Sequence, residues 1–285
     1  MLLVMFRLVV KRIRYFFELM AVKFGLFLFS ALGLKIASNF GSFLAKLVGK
    51  RISVHKLARS NLSKAIPNLS DKKIEQILDD MWDNLGRISG EFIHCCKFDK
   101  DEIAQYLSAD KETLDNIANI KKNYNGGIIF SGHIGNWEVG PKFFLHHGIN
   151  VKTVYRPLNN VAVDKITSQV RNVGLIAKNT QGNKQIISEI KKGNYIIILV
   201  DQKMSDGIDV PFFHDNALTS ASIAKLALKY DIPLIPARSI RLNKGFNFKI
   251  EVDKPIEFEK GKGVSEDQVF EITKKVNQKL ESWIR

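Results

Sequence analysis

The chain has 285 residues, with 43 basic and 29 acidic side chains and a net charge of +14. A content of 45% hydrophobic and 25% charged residues belongs to a folded protein and excludes a disordered tail, a collagen-like rod and a polytopic membrane bundle. The charge is uneven, because residues 1–60 hold eleven basic side chains against the single acid Glu18, a balance of +10, and the remainder carries only +4. Cys95 and Cys96 are adjacent, so they cannot join distant elements; they match no zinc spacing and fit a reducing compartment.

From Tyr15 to Leu34 the sequence reads YFFELMAVKFGLFLFSALGL, interrupted only by Glu18 and Lys23. Twenty such residues just span a hydrocarbon core. Each ionised group near a helix centre costs roughly 2.5–3.5 kcal/mol, but both lie in the first half, where a lysine can snorkel. Basic residues recur after the stretch and no A-x-A pattern follows, which argues against a cleaved secretory signal. Phe16, Phe17, Phe24, Phe27 and Phe29 beside Lys and Arg suit an interface rich in anionic lipid. Residues 1–50 are therefore expected to be an amino-terminal membrane anchor or interfacial helix region, spanning or partly sunken. A buried amphipathic helix with a solvated basic face is the competing reading.

Residues 51–285 read as an α/β domain. A helix after Asp71 keeps Ile74, Ile77, Leu78, Met81, Trp82, Leu85 and Ile88 on one face. Strands are expected at 126–131, 151–155, 173–177, 195–200, 233–238 and 248–252, with helices at about 138–147, 160–171, 182–192 and 218–230. A last helix starts at the capping box Ser265-x-x-Gln268. This alternation predicts a mostly parallel central sheet flanked by helices and preceded by a membrane-associating helix.

Strand 126–131 runs into Gly132-His133-Ile134-Gly135-Asn136-Trp137-Glu138, at the carboxyl edge where α/β ligands bind. His133 and Glu138 are five apart, about 140° around a continuous helix, so they meet only if the chain turns, as Gly132 and Gly135 permit. A carboxylate on one imidazole nitrogen would leave the other free to take a proton from a hydroxyl. Ser131 is not in a nucleophile elbow, since G-x-S-x-G would need glycine at Ile129. A pair of metal ligands lacks a third at recognisable spacing, and a structural histidine in a turn stays open beside the catalytic reading.

SGHIGNWEVG resembles the H-x4-D/E motif of glycerolipid acyltransferases, in the H-x-G-N-W-E form of the lauroyl/myristoyl acyltransferases of lipid A biosynthesis. NLSKAIPNLSDKKIEQILDDMWDNLGR (61–87), VYRPLNN (154–160) and DQKMSDGIDVPFF (201–213) are similar to further blocks of that family, so the resemblance covers about residues 15–285. It implies a glycerolipid acyltransferase-like fold. The activity it implies is acyl transfer from an acyl carrier protein thioester to a hydroxyl of a lipid A precursor of the Kdo-lipid A type, with no cofactor, no metal and no covalent acyl-enzyme.

His133 would be the general base and Glu138 its orienter. Arg156 and Arg171 match basic positions that would hold acceptor phosphates or sugar oxygens. Asn136, Trp137, Asp201 and Gln202 complete the expected substrate-binding set, with a support role for Asp201 and Gln202 equally open, and GIDVPFF (207–213) offers an apolar loop that could border the acyl channel, beside the reading of its phenylalanines as core. The family often has glycine where His214 follows VPFF. The resemblance also implies the cytoplasmic face of the inner membrane, with anionic lipid as a partner and no nucleic acid. Another glycolipid or phospholipid acceptor, such as a phosphatidylinositol mannoside, is the alternative within the superfamily; a basic nucleic-acid-binding protein and a membrane scaffold are alternatives of other classes.

Overall fold

The computed structural model describes residues 2–259 and 263–285. Its first half is helical, with α1 (Leu2–Leu32), α2 (Leu34–Gly49), α3 (Ser53–Ala65) and α4 (Asp71–Cys95). Ser70 starts α4 by accepting the Lys73 N–H at 3.3 Å, an N-cap of the usual kind. There follow α5 (Lys100–Tyr106), β1 (Leu107–Ser108), α6 (Lys111–Asn123) and β2 (Gly127–Ser131). A 3₁₀ turn at Trp137–Val139 then leads to α7 (Gly140–His146), β3 (Val151–Tyr155), α8 (Val161–Arg171), β4 (Gly174–Ala177), α9 (Thr180–Lys191) and β5 (Tyr195–Leu199). The chain ends with β6 (Ile208–Phe212), β7 (Asp215–Thr219), α10 (Ser222–Tyr230), β8 (Leu234–Leu242), β9 (Asn247–Val252) and α11 (Glu266–Ile284).

Seven strands form one sheet in the order β1-β9-β8-β2-β5-β3-β4. Strands β8, β2, β5, β3 and β4 are parallel, and only β9 turns against β8, with β1 beside it. The expected mainly parallel α/β sheet is therefore present. Strand β2 is central and buried on both faces, which explains its unbroken GIIF run. Ile129 packs with Phe143, Phe144 and Ile197 on one side, while Ile128 and Phe130 meet Ile223, Ala224 and Val276 on the other. Each such side chain, buried in full, contributes about 1.5–3 kcal/mol, so the strand that carries the HIGNWE turn is among the most firmly held parts of the molecule.

Three readings of the sequence change. GIDVPFF is not a loop, because Ile208–Phe212 pairs antiparallel with Asp215–Thr219 as a separate hairpin, and the helix expected from 218 starts at Ser222. Strand β8 runs past 238 to Leu242 because β9 pairs along its whole second half. Helix α2, on the amino-terminal side of residue 50, packs closely on α4. A Cβ on Gly41 would lie 2.1 Å from the Gly86 carbonyl oxygen, and one on Gly90 would lie 2.1 Å from that of Ala37, so the two backbones touch where only glycine fits.

Candidate active site

The parallel register decides what faces what at the carboxyl edge. Ser131 on β2 is opposite Leu199 on β5, and the Val200 N–H still donates to the Ser131 carbonyl at 2.9 Å. Two residues past each strand end, His133 and Asp201 are therefore neighbours. Imidazole Nδ1 lies 2.7 Å from Asp201 Oδ1, and the His133 backbone N–H donates to Asp201 Oδ2 at 2.6 Å. Burial pushes the Asp201 carboxyl up, but the hydrogen bonds and the nearby imidazole outweigh it and hold the group below the usual carboxylate range. With Asp201 as an ionised acceptor, Nδ1 carries the proton and Nε2 keeps its lone pair. The His133 side chain is 32% exposed.

Glu138 sits differently from the expectation that it orients His133. It lies in the 3₁₀ turn, and its two oxygens accept from Arg171, with Nε at 3.0 Å from Oε2 and Nη2 at 2.8 Å from Oε1. This is a fork-to-fork pair, the strong geometry for arginine and carboxylate. Burial pushes the Arg171 guanidinium down, and the bonds to Glu138 more than reverse that, so it stays charged. The Arg171 guanidinium also lies over the Phe92 ring at 5.4 Å. Arg171 ends α8, where Asn172 adopts a left-handed conformation and turns the chain into β4. The site thus holds two side-chain pairs, His133 with Asp201 and Glu138 with Arg171, and the carboxylate in contact with the imidazole is that of Asp201.

The other expected contacts separate into two groups. Trp137 stands edge-on to His133 with ring centres 4.8 Å apart, and it lines a small cavity of about 30 Å³ together with Ile129, Ser131, Phe144, Ile197 and Leu199. Arg156 is exposed just beyond β3, on the same edge of the sheet, and Gln202 is exposed beside Asp201. Asn136, expected among the substrate contacts, lies in the interior instead. It is fully buried, its Oδ1 accepts the Glu138 N–H at 3.1 Å, and its amide donates to Glu91 at 2.9 Å, so it builds the turn from behind.

Behind that turn lies a buried pair that the sequence reading missed. Glu91 on α4 is 0% exposed and accepts both Nη groups of Arg241 on β8, together with Ser38 Oγ of α2 at 2.7 Å. Asn84 bridges the same guanidinium to the Gly135 carbonyl oxygen. Gly135 itself has φ +58, and a Cβ there would lie 2.1 Å from the Ser239 carbonyl oxygen, so the position needs glycine for both reasons. The signal was in the sequence: Glu91 follows Ile88 by three residues, which places a carboxylate on the inward face of an amphipathic helix.

A histidine held by a carboxylate, with no serine or cysteine hydrogen-bonded to it among the described residues, is equipped to take a proton from a hydroxyl and return it to a leaving group. None of the curated proteins compared matches the chain. The family model for bacterial lipid A biosynthesis acyltransferases matches residues 5–285, nearly the whole length and all of the site just described. The chain belongs to that family, and it is an acyltransferase of lipid A synthesis.

Proposed function

We propose that the protein moves a fatty acyl group from an acyl carrier protein thioester to a hydroxyl of a lipid A precursor of the Kdo-lipid A type. The observation that carries this reading is the His133–Asp201 pair at the carboxyl edge of the sheet, which joins the HIGNWE block to the DQK block. His133 Nε2 removes the hydroxyl proton as the oxygen attacks the thioester carbonyl. The tetrahedral intermediate then expels the thiolate, which takes the proton back from the imidazolium. The oxygen–carbon bond formed replaces the carbon–sulfur bond broken, and no acyl group rests on the protein. A thiolate leaves readily, so the site needs no strong additional acid.

Glu138 acts in this scheme through Arg171. It fixes the guanidinium so that its outer face is presented to acceptor oxygens, with exposed Arg156 further along the edge for a phosphate. Trp137 and Gln202 border the bound substrates. The amino-terminal helix, long and apolar enough to meet a bilayer, keeps the site at the lipid surface, on the cytoplasmic face of the inner membrane where a soluble carrier protein delivers the acyl chain.

The test is product mass after incubation of the full chain with acyl carrier protein bearing defined chains and the acceptor disaccharide. A single added acyl group is expected. His133→Ala is expected to abolish transfer, and Asp201→Asn to lower kcat. Undiminished transfer by His133→Ala would overturn the mechanism, and transfer only to a phosphatidylinositol mannoside in a parallel panel would overturn the acceptor.

A further inference from the structure

Whether α1 crosses the bilayer or lies on it is decided by what each face of the helix does. At about 100° per residue, the exposed apolar side chains Phe6, Val9, Ile13, Phe17, Met20, Phe24 and Phe27 fall within an arc of about 80°, with Val10 and Phe16 at its borders and Met5 and Leu8 further round. Arg7 and Arg14 lie on one flank of that arc and Arg12 and Lys23 on the other, with Lys11 opposite, and the side away from the arc continues as the half-buried positions Tyr15, Val22 and Phe29 that meet the body. One side of the helix is thus protein-bound over its second half, the other is apolar from end to end, and basic side chains flank the apolar stripe.

The contacts give the axis its direction. Asn160, ahead of α8, donates to the Tyr15 carbonyl at 2.8 Å and to Glu18 at 3.1 Å, while His94 on α4 meets the Phe29 carbonyl at 2.9 Å. Fourteen residues at 1.5 Å each put about 21 Å of helix flat against the α/β body. What projects beyond, residues 2–14, is about 20 Å long, short of a hydrocarbon core of about 30 Å, and it holds Arg7, Lys11, Arg12 and Arg14. Neither part can cross. The outward face of α2 adds Ile36, Phe43 and Leu47, which are 60%, 59% and 46% exposed.

We propose that α1 lies in the plane of an anionic bilayer surface, its Val9-to-Phe27 stripe among the acyl chains and its Arg7–Lys11–Arg14 row level with the headgroups. The occupant of the exposed stripe is lipid, because cations flank an aromatic and aliphatic face as the interface requires. The amino terminus then stays on the same side of the membrane as the α/β body. The inference is independent of the acyl-transfer reading and holds whichever acceptor is used.

The test uses membrane vesicles from cells producing the full chain with either Leu8→Cys or Lys64→Cys, an impermeant maleimide, and the unsubstituted protein as control for its two buried thiols. Both introduced thiols are expected to react in one vesicle orientation and to be protected together in the other. Opposite protection of residues 8 and 64 overturns the proposal. A second measurement is sedimentation with vesicles: replacing Arg7, Lys11 and Arg14 by alanine is expected to weaken binding to phosphatidylglycerol vesicles by on the order of 100-fold and to change binding to phosphatidylcholine little. Equal loss on both lipids overturns it, as does a dimer in mild detergent whose mass halves with Phe24→Asp.

Discussion

Replacing Glu91 by alanine isolates the support behind the catalytic turn. The carboxylate is 0% exposed and the Arg241 side chain 9%, so the substitution leaves a guanidinium with little access to water and one remaining neutral acceptor, the Gly245 carbonyl, besides Asn84. Removing one member of a buried pair costs about 3–5 kcal/mol, because the other charge keeps its desolvation penalty. Losing an acceptor for the Asn136 amide and the Ser38 hydroxyl adds to that. A loss of about 4 kcal/mol is a large part of a domain's stability. In urea titrations of detergent-solubilised protein the midpoint should fall steeply, whereas replacing Glu91 and Arg241 together by methionine should recover part of the loss, since no charge is then stranded. Glu91→Gln, which keeps the volume, should retain more fold than alanine and still lower kcat with little change in KM, because Asn136 no longer holds the Glu138 N–H in register. A cost below about 1 kcal/mol for Glu91→Ala, or no recovery in the double variant, would refute the idea that this pair holds the turn.

Asp201→Asn keeps the side-chain shape but loses the charge that fixes the His133 tautomer; kcat should fall about 100-fold or more, measured as product formation with KM followed separately. Gly135→Ala forces a Cβ against the Ser239 carbonyl at φ +58, which should cost at least about 1–3 kcal/mol and lower Tm together with activity. Asp201 titrates below the ordinary carboxylate value in the folded protein, so its stabilising contribution is complete above the unfolded value near pH 4 and disappears as pH falls through the lower folded value. Acid titration followed by near-UV circular dichroism should therefore show Asp201→Asn losing less stability than the parent protein below about pH 4.

Much of the scaffold was legible because it rests on local pattern. The strands at 151–155 and 195–199 have the boundaries that their apolar runs mark within a residue, and the helix after Ser70 follows its 3.6-residue stripe. What was not legible depended on pairing between distant segments. His133 and Asp201 are 68 positions apart and meet because β2 and β5 are adjacent, parallel and in register with the same offset, Gly127 opposite Tyr195. The nearer carboxylate, Glu138, is five residues away but belongs to Arg171, which α8 brings in from the next crossover. The β6–β7 hairpin was hidden for a different reason: VPFF reads as an apolar run with a proline, and its partner DNALT has a weak strand signal, so only the pairing makes either a strand.

The same reasoning locates the division between the membrane helix and the enzyme body, and truncation tests it. Gly33, at φ +68, breaks the chain between α1 and α2. On the body side of that break α2 supplies Ser38 to Glu91 and Ser42 to Asp83, at 2.7 and 2.5 Å, and brings its backbone against Gly86 and Gly90. Deleting residues 1–32 removes a helix whose outer face is lipid-directed and whose polar ties to the body run mainly through Asn160 and His94. The remaining chain should fold with a modest fall in Tm and lose its binding to anionic vesicles. Deleting residues 1–50, the division that hydropathy alone places at the end of the basic apolar stretch, strips the α4 face that α2 covers. It also leaves two carboxylates without their hydroxyl donors, and a buried group without its partner costs about 1–3 kcal/mol. That shorter chain should aggregate or melt far below the 33–285 fragment. Equal melting temperatures for the two fragments would show that α2 belongs with the membrane helix and that the Ser38–Glu91 contact carries no weight in holding the catalytic turn.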